Sequence, residues 1–135
     1  MMGFPKGGFG LESAATATDY KNGTSLFKNN LVHAIADPYK TIDAAAGGVI
    51  TQAEMKAKAE SEGTVTYTNA NDIMLEAPFN WDAPNYMPKT GSPALTGASF
   101  TGLDVFFTNV AYRGALGTTN WMTGWTSFAP QMNTY

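Results

Sequence analysis

His33 is the only histidine in the 135-residue chain, and cysteine is absent. A Ser-His-Asp relay, a thiolate nucleophile or a multi-histidine metal centre needs residues that one such chain does not supply. His33 sits in the apolar run Leu31-Val32-His33-Ala34-Ile35, which reads as a strand histidine rather than a general base. Carboxylates are the other acid–base groups. Asp72 and Glu76 share one segment, and Asp82 and Asp104 follow in the next, but their spacing fixes no separation of the kind a glycosidase pair requires. Asn69, Asn71 and Asp72 offer oxygen ligands. Their run lacks the Asp/Asn/Gly ladder and closing Glu of a calcium loop, so it reads as turn chemistry. Gly7-Gly8-Phe9-Gly10 has neither the Lys-Ser/Thr nor the preceding strand of a phosphate loop. No catalytic residue, metal or cofactor is assigned, and the chain is read as not being an enzyme.

Recognition chemistry remains. Arg113 is a lone cation between Tyr112 and Gly114, and it would lock its segment by stacking on a ring or pairing with Asp104. Trp121 and Trp125 stand four apart, so an extended chain or a helical turn would place them as one unit. Tyr112, Arg113, Trp121 and Trp125 are therefore the candidate aromatic, sugar or interface contacts. Exposed, the rings form a sugar platform; buried, they close a core. Burial is expected, because a loop-rich segment exposing Phe79, Trp81, Phe100, Phe106, Phe107, Trp121, Trp125 and Phe128 would aggregate. Asn22-Gly23-Thr24 also fits the N-glycosylation acceptor pattern, which matters only on a eukaryotic secretory route.

Composition narrows the classes further. Charged residues make up 14% and apolar residues 44%, with 14 Gly and 7 Pro, which is neither disordered nor helical-bundle composition. A net charge of -3 gives no footprint for a phosphate backbone, so nucleic acid is excluded as a partner. The apolar runs are too short for a membrane span, and the start MMGFPKGGFG lacks the n- and h-regions of a signal peptide. Opening in turn chemistry, the chain is expected to be a piece of a longer protein, folded as one domain.

The elements that must position these residues fall into a turn-rich β segment over 1–50, a helix over 51–62, a β segment over 63–76 and a long irregular wrap over 77–135. In the first, strand, turn and strand are expected, with the turn at Lys21-Asn22-Gly23-Thr24. Thr51 and Glu54 form a capping box, Ile50 can staple onto Met55, and Gly63 suits a left-handed end. Glu54/Lys58 and Lys56/Glu60 are spaced to pair along that helix. Thr64 to Thr68 alternates as a strand, and Asp72-Ile73-Met74-Leu75 reads as another. Phe27-Lys28-Asn29-Asn30 and Tyr67-Thr68-Asn69-Ala70 form an echo 40 residues apart, as would stacked asparagines on successive coils of a parallel β-helix. The wrap, holding five of the seven prolines and all three tryptophans, is expected to act as a lid.

Five blocks of that wrap recur in a familiar order: Gly91-Ser92-Pro93-Ala94, Phe106-Phe107, Tyr112 to Gly117, and the closing Trp121-Met122-Thr123-Gly124-Trp125-Thr126, preceded by Ala77 to Pro88. Together they resemble the C-terminal region of secreted or cell-surface proteins of the Bacteroidetes group, many of them predicted right-handed parallel β-helices. The resemblance covers residues 77 to 135 most strongly. It implies an extracellular or bacterial surface location and a segment that caps or extends a β-solenoid, and it brings no catalytic residue. The chain lacks the many upstream rungs such proteins carry.

The expected fold is thus mainly β with one short helix, partial solenoid rungs and an aromatic-rich wrap. The expected function is a non-enzymatic structural or interaction module whose partner is protein: the rest of its own solenoid, a surface complex or copies of itself. Two rivals stand beside it: the non-catalytic end of a carbohydrate-binding or carbohydrate-degrading β-helix protein, and a self-stacking subunit of an extracellular filament.

Overall fold

A computed structural model describes residues 6–124, 126–128 and 130–132. The chain divides into two compact units, Met1–Ala70 and Asn71–Tyr135.

Small residues and hydroxyl caps build the first unit as two successive passes of strand, capped helix and strand. The first pass runs β1 (Gly7–Leu11), α1 (Ala14–Asn22) and β2 (Leu31–Val32). Ser13 caps α1 in a box with Thr16, and Gly23 ends it in the left-handed conformation. The second pass runs β3 (Asp37–Thr41), α2 (Ala44–Val49), α3 (Gln52–Ser61) and β4 (Val65–Thr66). Asp43 caps α2 through a 2.6 Å bond from the Ala46 N–H. The passes lie side by side: β1 pairs in parallel with β3, Phe9 against Tyr39, and β2 pairs in parallel with β4, Leu31 against Val65.

Between strands and helices lies the core of this unit: Leu11, Ala17, Tyr20, Tyr39, Ala46, Ile50, Met55 and Ala59. Phe9 stacks on Phe27 at 4.0 Å between centroids and meets Tyr20 edge-on at 5.1 Å. Alanine at three helical positions lets these rings approach, and the burial of each large side chain is worth roughly 1.5–3 kcal/mol. The Tyr20 hydroxyl donates to the Met55 carbonyl at 3.3 Å, and Lys21 Nζ donates to the Val49 carbonyl at 2.7 Å, tying α1 to the second pass.

α3 is closed at both ends. Thr51 N–H donates to Glu54 Oε2 at 2.7 Å and Glu54 N–H donates to Thr51 Oγ1 at 3.2 Å. These bonds hold the Glu54 carboxyl below its ordinary range, first through the Thr51 N–H, then through the Thr51 hydroxyl. At the other end Gly63 (φ 84°) sends its N–H to the Glu60 carbonyl while Thr64 sends its own to Ala59, the paired bonds of a Schellman turn.

In the second unit β5 (Leu75–Ala77) pairs antiparallel with β6 (Asn85–Pro88), and short 3-10 turns cover Ala70–Ile73, Pro93–Leu95 and Pro130–Met132. Among its described residues Ile73, Ser92, Ala94, Leu116 and Gly117 are buried.

This architecture corrects the mainly-β, partial β-helix reading. Among the described residues three helices and three separate two-stranded sheets make a mixed α/β fold with no solenoid. Residues 14–22 and 44–49, expected within the turn-rich β segment over 1–50, are helical because Ser13 and Asp43 cap them and Ala17, Tyr20 and Ala46 bury one face. The turn at Lys21 to Thr24 is the end of α1. The 40-residue echo is not a register. The β2–β4 offset places Asn29 beside Gly63: Asn29 N–H donates to the Glu62 carbonyl at 3.2 Å, and both Asn29 (φ 56°) and Gly63 are left-handed. Glu54 does not pair with Lys58 among the described residues, since its carboxylate serves the cap; Lys58 reaches Glu62 at 2.8 Å instead.

Candidate functional site

The second unit is held by its turns. Ser92 caps the Pro93–Leu95 turn and sends its hydroxyl to the Ile73 carbonyl at 2.7 Å. The backbone N–H of Arg113 donates to the Ala94 carbonyl at 2.7 Å, and the Ala98 N–H donates to Ala111 at 3.1 Å. Trp121 Nε1 donates to the Ala115 carbonyl at 2.8 Å. The Gly91-Ser92-Pro93-Ala94, Tyr112 to Gly117 and Trp121 blocks therefore hold one another through main-chain acceptors.

Three of the four candidate contacts meet on this scaffold. The Arg113 guanidinium lies against Gly97, where a Cβ would stand 2.7 Å from Nε and from Cζ. The Tyr112 ring lies on Gly117 in the same manner. Both glycines are thus required by close approach, and both side chains are half-buried. Arg113 Nε is buried without a hydrogen-bond partner. The expected Arg113–Asp104 pair is not formed among the described residues. Asp104 Oδ1 instead accepts the Phe106 N–H at 2.8 Å, and a cation–π contact among the described residues places Lys58 over Tyr20. Trp125 lies outside the described residues.

The expected lid of buried rings is overturned. Trp81 is 89% exposed, Phe106 84% and Trp121 49%; Phe79, Phe107 and Phe128 are exposed as well, while Phe100 is half-buried. The reason is local. Asn80, Asn85, Asp104 and Asn120 each accept a backbone N–H two residues on, so the chain turns upon itself and the rings project outward. Inside, small Ser92 and Ala94 are buried, and the Ser92 hydroxyl bonds the Ile73 carbonyl. Phe106 and Phe107 meet edge to face at 5.4 Å, and Tyr86 meets Phe128 at 6.4 Å, so the exposed rings pair with each other.

Acid–base and metal chemistry are not assembled among the described residues. His33 is 7% exposed and has a partner, whereas Asp72, Glu76, Asp82 and Asp104 are all exposed. No group of three or more His, Asp or Glu comes together to hold a metal ion among those residues. Asn22 of the glycosylation pattern is exposed at the end of α1. No helix among the described residues is long and apolar enough to cross a membrane.

Comparison with protein-family models, with curated proteins and with solved structures gives no match to this chain.

Trp81 and Phe106, the most exposed rings among the described residues, are not among the four candidate contacts. Their signal lay in their neighbours: Asn80-Trp81-Asp82 and Asp104-Val105-Phe106-Phe107 put turn-forming Asx residues beside rings, which directs a side chain away from the turn.

Proposed function

We propose that the chain is a non-enzymatic interaction module of a secreted or bacterial surface protein, and that its second unit binds a partner protein through exposed rings. One observation carries the reading: Trp81, Val105, Phe106 and Met132 stand almost wholly in solvent on a unit whose backbone is fixed by turn hydrogen bonds. Large exposed apolar groups on a soluble chain mark interaction sites, and aromatic side chains supply most of the energy at protein interfaces. The order of blocks over residues 77 to 135 supports the surface location. A carbohydrate ligand is the second reading, favoured by Trp121, whose indole is anchored by its N–H yet half exposed, on the same scaffold as Arg113.

A photo-reactive amino acid in place of Phe106, in cells that make the protein, is expected to trap a discrete protein product. The same group in place of Lys56 on α3 should not. Absence of such a product, together with a polysaccharide-induced change in tryptophan fluorescence that Trp121→Ala abolishes, overturns the protein reading in favour of the sugar.

A further inference from the structure

β1 has one neighbour, β3, among the described residues. In a parallel pair, alternate residues turn their N–H and C=O toward the partner. The Leu11 carbonyl accepts the Ile42 N–H at 2.8 Å, so Gly10, one residue earlier, directs its own N–H and C=O to the open side. Gly7, Gly8 and Gly10 leave the strand nearly bare of side chains, and an open groove of about 420 Å³ bounded by Lys6, Lys40 and Ile42 lies over it. Gly8 has no room for a side chain, since a Cβ there would stand 2.7 Å from the Pro38 carbonyl oxygen and 2.9 Å from a Val32 methyl. Lys6 and Glu12, of opposite charge, stand exposed just before and just after β1.

The geometry points to a second copy of this chain at that edge, its β1 antiparallel to the first about a two-fold axis through Phe9. In that register Gly8 of each copy opposes Gly10 of the other, and Lys6 of each faces Glu12 of the other. The two cross-strand pairs of opposite charge select the register. A shift by two residues sets Lys6 or Glu12 against glycine and loses both pairs; a shift by one turns Gly10 out of the ladder. The arrangement is self-complementary and closes as a dimer, unlike the open-ended stacking of a filament. One strand edge is a small interface, so the dimer forms by mass action as concentration rises.

Sedimentation equilibrium of the full chain tests this, with circular dichroism verifying that each variant is folded. A monomer–dimer equilibrium is expected. Glu12→Lys should weaken it roughly tenfold or more, since both attractive pairs become repulsive. Lys6→Glu should do the same, and keeps the test alive if Glu12→Lys does not fold. The double exchange Lys6→Glu with Glu12→Lys should restore the wild-type association, while Lys56→Ala on α3 leaves it unchanged. A mass that stays at 14.4 kDa at every concentration overturns the proposal, and so does a double exchange that fails to restore.

Discussion

Individual side chains in the first unit carry consequences that titration can read. The Tyr20 phenol is pushed up to about 12, by burial above all, then by Glu62 and Tyr39. Tyr39 is raised too, again by burial first, with the Thr66 hydroxyl opposing at 3.0 Å and Glu60 assisting. An unfolded phenol ionises near 10, so between there and about 12 the unfolded chain has lost a proton that folded Tyr20 keeps. Stability contributed by that neutral phenol is complete below pH 10 and declines as pH rises toward 12. Denaturation midpoints measured across that window should fall with pH, and Tyr20→Phe should make the fall shallower. A variant with the same slope would show that the phenol ionises alike in both states.

At the scale of elements, the caps set the boundaries. Thr51→Ala removes the acceptor for the Glu54 N–H and should lower stability by about 1 kcal/mol. Gly63→Ala forces a Cβ into a left-handed residue that already touches Asn29, and should cost roughly 1–2 kcal/mol. Equal denaturation midpoints for wild type and either variant would contradict this account of α3. These ends also explain what was readable. α3 carries a Thr/Glu box, a staple from Ile50 to Met55 and a closing glycine, each a local signal. α1 hides because its box uses Thr16 in place of Glu or Gln, and its interior holds Thr16 and Thr18, which favour strands. Its helicity rests on burying Ala17 and Tyr20 against residues far along the chain. α2 contains Gly47-Gly48, poor helix formers, and is held by Asp43 and by burial of Ala46. The parallel register was masked in a different way. Ser13-Ala14-Ala15 and Asp43-Ala44-Ala45 mark it in the sequence at the 30-residue offset of β1 and β3, whereas the asparagine echo lies 40 apart.

For the whole molecule, the second unit shows where sequence reasoning has least purchase. Ring content there predicted a buried lid because large apolar side chains usually drive burial, whereas turn hydrogen bonds fixed the backbone and small residues took the interior. Of the candidate contacts, Tyr112 and Arg113 lie against Gly117 and Gly97, close approaches that residue spacing does not reveal. On the proposed reading the exposed rings serve recognition and not the fold, so removing them leaves stability intact. Thermal unfolding of the double variant Trp81→Ala with Phe106→Ala tests it most directly. Stability within about 0.5 kcal/mol of wild type is predicted, as for surface substitutions. A loss of about 3 kcal/mol or more, the cost of emptying a packed aromatic site, would place the rings in a core and contradict the claim.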